Sequence, residues 1–236
     1  MKDPKTLRNL TQGHIFERFD GELTHLHDVV LSMGGLVLQQ LSDALTAFQS
    51  QDLHLANQVR SRDLDIDRME VAADEEILEL IARRCPLGPD LRVVITVSKS
   101  VSDLEKIGDE AVRIVSLMDQ IARDAEGSIP QPVKTEMERL GSMALKSFQN
   151  AVELFDAWDE AKAFRVIDSH REMDGEFQSE LRRLIDYIMT DTINIGMAVG
   201  MVLVAKSLER ITHHAQNLAE YALFEVKGVD IRVKQP

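Results

Sequence analysis

One cysteine, Cys85, is all the sulfur this chain has for cross-linking. An internal disulfide is excluded, which suits a reducing compartment. Aromatic residues fill only 5% of 236 positions, and there are 6 prolines and 12 glycines. So few breakers leave room for long helices, and the wealth of Leu, Ala, Glu and Arg favours them. Positive charge is also short: 27 Lys and Arg face 40 Asp and Glu, a net of −13. That surface repels phosphate backbones and excludes nucleic-acid binding through a broad basic face. It attracts cations or a basic protein surface. Long apolar runs are missing as well. The longest, INIGMAVGMVLVA at 193–205, falls short of the ~20 residues that a bilayer-crossing helix takes. The N-terminal MKDPKTLRNL has no apolar centre, so no signal peptide is expected. The expectation is a soluble, cytoplasmic protein without direct membrane insertion.

What is present is helical periodicity. Val94, Val97, Val101, Leu104, Ala111, Val115 and Met118 follow a 3-4 spacing, and so do Val204, Leu208, Ile211, Ala215, Leu218 and Ala222. No alternating strand pattern stands out. Caps and breakers mark six segments. The first spans 15–50, and the second starts at an N-cap, Asp52, and ends at 84. The loop CPLGPD precedes a third segment at 91–124, and the linker EGSIPQP precedes a fourth at 133–157. Asp159 caps a fifth that ends at 190. The sixth covers 193–226 and stops at Gly228.

The chain repeats itself. A shift of 107 places Gly34 on Gly141, Ala44 on Ala151, Phe48 on Phe155, Asp52 on Asp159 and Asp67 on Asp174. After the second loop the shift becomes 104, and Leu104, Glu105, Ile107 and Ala111 meet Leu208, Glu209, Ile211 and Ala215. The period is too long for a solenoid unit, which takes roughly 20 to 50 residues. It fits a duplicated three-helix module with antiparallel neighbours. The expected fold is all-α: two tandem pseudo-symmetric three-helix bundles, over 10–125 and 133–228.

The duplication carries an acidic face. Each residue advances about 100° around a helix. Asp63, Asp67, Glu70 and Asp74 therefore share one narrow stripe beside Ile66. Glu105 and Asp109 lie at the edge of the stripe centred on Leu104, as Glu209 and His213 do beside Leu208. Like charges three or four residues apart cost a few tenths of a kcal/mol per pair, so helix propensity does not favour this placement. An antiparallel turn near residue 87 sets Glu105 and Asp109 opposite Asp63, Asp67 and Glu70. An all-oxygen cluster of this kind suits Mg, Mn or Fe. A turn near 192 sets His170 and Asp174 level with Glu209 and His213, a mixed set that suits Fe, Zn or Ni. The plainer alternative is an ordinary solvated acidic face. The matching positions in both halves favour ligation. Arg83, Arg84 and Arg210 read as salt partners for acids, His25, His27 and His214 as ordinary histidines, and the methionines as core filler.

Four segments carry a family likeness: MGGLVLQQLSDALTAF, MEVAADEEILELIARRCPLGPDLR, VSKSVSDLEKIGDEA and AKSLERITHHAQNLAEY. Together they resemble the PhoU family of bacterial phosphate-signalling regulators, over almost the whole chain. The resemblance implies two three-helix bundles related by a pseudo-twofold axis. It also implies iron or zinc clusters held through [ED]-x-x-x-D motifs. Asp63-x-x-x-Asp67 and Glu105-x-x-x-Asp109 match that motif, whereas His170-x-x-x-Asp174 and Glu209-x-x-x-His213 have each lost one carboxylate. The implied role is a non-enzymatic negative regulator of the phosphate-starvation response. Its implied partners are a phosphate ABC transporter ATPase and a sensor histidine kinase, and a homodimer is expected. The rival class is a carboxylate-bridged metalloenzyme of a helical bundle. Di-iron bundles use a Glu-x-x-His motif from each of two helices, aimed into a shared core, and this sequence has a single one, Glu22-x-x-His25.

Overall fold

The structure is a computed structural model that describes residues 17–124, 129–157, 160–190 and 195–228, without the side chains of 17, 18, 124, 156–173, 190, 226 and 227. Every element among the described residues is an α-helix: α1 (Glu17–Ser50), α2 (Leu53–Arg84), α3 (Pro89–Asp124), α4 (Gln131–Ala157), α5 (Glu160–Thr190) and α6 (Ile195–Lys227).

The boundaries have local causes. Gln51, at φ 56°, turns the chain after α1. The Asp52 carboxylate then accepts from the backbone N–H of His54 at 2.8 Å and of Leu55 at 3.1 Å, which caps α2. Cys85 ends α2 in the left-handed region, its N–H donating to the Ile81 carbonyl at 3.0 Å. Pro89 then opens α3, two residues before the periodicity suggests, because its missing N–H costs nothing in a first turn. Gly228 stops α6 at φ 67°. The expected cap Asp159 lies outside the described residues.

Each triplet of helices packs as a three-membered bundle, α1–α3 and α4–α6, and α2 and α5 take the outer positions. The two bundles join through α3 against α6 and through α1 against α4. The buried side chains form one continuous core rather than two, with Leu41, Ile66, Leu104, Phe148, Phe177 and Leu208 all within it. By composition α1 is long and apolar enough to span a bilayer. Its apolar face, from Leu23 through Met33 to Leu41, is instead buried in this core.

The pseudo-twofold axis can be read from two glycines. A Cβ on Gly34 would lie 3.2 Å from Val152 Cγ1, and one on Gly141 would lie 2.9 Å from Leu45 Cδ2. The 107-residue shift exchanges these two contacts, since Gly34 maps on Gly141 and Leu45 on Val152. α1 and α4 thus cross antiparallel, and glycine in both copies lets the backbones approach. Across α3 and α6, Glu110 accepts from Arg210 at 2.8 Å, and His214 Nδ1 lies 3.0 Å from Asp103 Oδ1.

Candidate metal centre

The acidic stripe of α2 meets α3 where the antiparallel register places it. Ile66, fully buried, turns α2 so that Asp63, Asp67 and Glu70 fall at the rim of the α2–α3 seam. Leu104 and Ile107 do the same for Glu105 and Asp109 on α3. Gly108 lets the two helices close up, as a Cβ there would sit 3.4 Å from Asp63 Oδ1 and from Ile66 Cδ1.

The carboxylates feel one another across the seam. Burial, then repulsion from Asp109, Glu70 and Asp67, pushes Glu105 up to about 7. Asp109 is raised by burial, Asp67 and Glu110, against a hydrogen bond with Glu105 that pulls it back. Glu70 is raised by burial and by Asp74, Asp67 and Asp109, with Lys106 opposing. Asp63 is raised by burial, by Asp67 and by Asp109, despite the Gln40 amide that donates to it at 2.8 Å. These groups share too much negative charge for their surroundings.

Whether the residues fit a metal follows from that charge. The first-half donor set is all oxygen, offset only in part by Lys106, and spread over two helices, which fits a hard or borderline cation. Among the described residues no three His, Cys, Asp or Glu side chains converge on a single point. Ligation therefore requires side-chain rotation within the seam.

The described side chains of the second half fit a cation less well. Glu209 is buried, not at an edge, and is already neutralised: Lys206 pairs with one oxygen and the Gln178 amide donates to the other at 2.9 Å. Burial raises its pKa, but Lys206, Gln178 and His213 outweigh that and hold it below the usual carboxylate range. Where the first half has Glu70 and Asp74, the 107-residue shift gives Phe177 and Leu181. Phe177 is buried, and Leu181 packs against the core. Asp174 and His213 are exposed. The His170 side chain lies outside the described residues.

Two partners of this chemistry escape a pattern search. Gln40 is buried in the apolar stripe of α1, between Val37 and Leu41, and also donates to the Gly108 carbonyl at 3.3 Å. A polar residue inside an apolar stripe was the available signal. Lys206 stands three residues before Glu209, where the first half has Ser102. The arginines pair with acids: Arg84 with Glu22 at 2.8 Å, Arg83 with Glu79, and Arg210 with Glu110. His214 differs from the expectation of an ordinary histidine, because it bridges the two bundles through Asp103.

Two antiparallel three-helix bundles, fused about a pseudo-twofold axis with carboxylates on an outer seam, define the class of duplicated PhoU-domain proteins. The PhoU domain model matches residues 30–118 and again 137–222, and the chain belongs to the PhoU family. It is 39% identical over 219 residues to the phosphate-specific transport system accessory protein PhoU homolog of Pseudomonas aeruginosa, covering 93% of this chain and 89% of that protein. It is 36% identical over 219 residues to the phosphate-specific transport system accessory protein PhoU of Escherichia coli, with 93% and 89% coverage. The crystal structure of PhoU from Pseudomonas aeruginosa superposes with a TM-score of 0.82 at 38% identity, covering 89% of this chain and all of that one. That of PhoU from Streptococcus pneumoniae gives 0.79 at 25% identity, covering 90% and 98%.

Proposed function

We propose that this protein is a non-enzymatic accessory regulator of a phosphate-specific transport system. It represses the phosphate-starvation response and phosphate uptake by standing between the transporter ATPase and a sensor histidine kinase in the cytoplasm, as a homodimer. The observation that carries this reading is similarity over 93% of the chain to accessory proteins of phosphate-specific transport. Deleting the gene is expected to leave phosphate-scavenging genes switched on in high phosphate, and the purified chain is expected to retain both partners in a pull-down. Normal repression in the deletion strain would remove the regulatory role.

The first-half seam is proposed as the site of one metal centre, held by Asp67, Glu70, Glu105 and Asp109 with Asp63 at its rim. When bound, a cation such as iron, zinc, manganese or magnesium supplies the positive charge that this seam lacks. Asp67 and Glu70 come from α2 and Glu105 and Asp109 from α3, so shared ligation ties the outer helix of the bundle to its central one. Gln40 holds Asp63 through a hydrogen bond. The enzymatic alternative gains nothing from this geometry. Glu105, Asp67 and Glu70 are half-buried and Asp109 is exposed, whereas oxidative intermediates need a sheltered, water-excluding pocket.

A further inference from the structure

The outer face of α2 carries a file of apolar side chains that the fold does not use. Leu53, Leu64, Val71 and Leu78 are 61%, 56%, 58% and 67% exposed. At about 100° per residue the four lie within about 20° of one line, and at about 1.5 Å per residue the file is about 38 Å long. Single exposed leucines need no explanation, but an aligned file along a whole helix does. The duplication supplies the control. At the matching positions α5 has Glu160, Arg171, Gln178 and Ile185. The sequence of the second copy thus does not repeat the apolar file.

The borders of the file say what covers it. On one side, at about 40° and 60° from the line, stand Asp67 and Asp74, and on the other stand Glu75 at about 40° and Arg68 at about 60°, while Arg60 lies within the file between Leu53 and Leu64. Among the described residues none of these three carboxylates, nor Glu70, forms an ion pair, whereas the arginines of α2 are already engaged: Arg60 with Asp119, Arg62 with Asp43, Arg68 with Asp65, Arg83 with Glu79 and Arg84 with Glu22. From Leu64 to Leu78 the file is apolar at its centre, and its borders carry three carboxylates without an ion pair against arginines already paired with other acids. A second copy docking here would set acid against acid. Asp74 and Glu75 lie outside the proposed metal ligands, so the border stays negative with or without an ion.

We infer that the outer face of α2 is a docking site for an amphipathic helix with an apolar stripe and Lys or Arg along both flanks. This rests on the adaptor reading and deepens it, because it names the face and the chemistry of one partner.

The probe is a synthetic helix about seven turns long, with four leucines at the spacing of the α2 file and lysines on both flanks. A counterpart carries glutamates on the flanks. The full-length protein is expected to bind the lysine peptide, more weakly as salt rises, and to bind the glutamate peptide at least about tenfold more weakly. The double variant Leu64→Gln/Val71→Gln is expected to lose about tenfold in affinity for the lysine peptide, with an unchanged melting temperature because both side chains are exposed. Equal binding of the two peptides, or full binding by the variant, overturns the proposal. A dimer that the double variant converts to monomer also overturns it, by assigning the face to a second copy. The peptide assay contains neither transporter nor kinase, so its failure is separable from failure of the pull-down.

Discussion

Glu105 and Glu209 occupy the same place in two copies of one module, on the third helix beside a buried leucine. Glu105 is pushed up to about 7 by burial and by Asp109, Glu70 and Asp67. Glu209 is more enclosed, yet Lys206 and Gln178 hold it below the usual range. Burial of a carboxylate is thus answered in two ways. One half leaves its negative charge offset only in part, by Lys106. The other supplies its own ammonium and replaces two neighbouring acids by Phe177 and Leu181. The duplicated frame survives because it rests on core residues, and the charge on its rim is free to diverge.

The sharpest way to break the comparison is through metal content. Glu105→Ala/Asp109→Ala is expected to lower bound metal more than about tenfold, since α3's two carboxylates are lost and only the α2 side of the seam remains. The matching Glu209→Ala/His213→Ala is expected to leave it unchanged. Elemental analysis of protein purified without added metal reads both. Equal losses in the two variants would mean that both halves bind.

Amide substitution should act with opposite signs in the two halves. In chelator-treated protein, Glu105→Gln is expected to stabilise by about 0.5 to 1 kcal/mol, because it removes like-charge repulsion on a half-exposed face. Glu209→Gln is expected to destabilise by about 1 kcal/mol, because it discards a charge-assisted bond. Denaturant midpoints report both, and a shared sign would end the distinction. Lys206→Ser, which installs the residue found at Ser102, is expected to cost about 1 kcal/mol and no more, since the Lys206 side chain is mostly exposed.

The smallest effect is a pH slope. Because the folded state raises Glu105 above its ordinary 4.5 to about 7, it holds a proton there that the unfolded chain has released. Metal-free stability therefore falls as pH rises between these values, and the penalty is complete above about 7. Glu105→Gln is expected to reduce the pH dependence of the melting temperature across this window, the remainder coming from other raised carboxylates such as the buried Glu225, whereas Glu209→Gln leaves the slope intact. Saturating metal should also flatten it, by stabilising the ionised seam.

Much of the fold was legible because its signals are local. Asp52 caps α2, Pro89 and Gly228 sit at helix ends, and the 107-residue shift pairs Gly34 with Gly141 without any coordinates. The first-half cluster was legible for a similar reason, since an antiparallel turn fixes which of Asp63, Asp67 and Glu70 faces Glu105. The surroundings of the second half were not legible. The spacing of Glu209, His213 and Asp174 matches the first half, but spacing says nothing of Lys206 and Gln178 reaching in from either side. His214 and Asp103 are 111 residues apart and meet only because the bundles pack on each other.

By itself the sequence determined the helices, their duplication and the placing of acids along one side of α2, because periodicity and capping act within a few turns of chain. Only the tertiary structure decided which carboxylates remain without a counter-charge. That depends on side chains from other helices, Gln40 from α1 and Gln178 from α5, and on how deeply packing withdraws each group from water. Desolvation and Coulomb energy are set by distance in space, and separation along the chain does not record it.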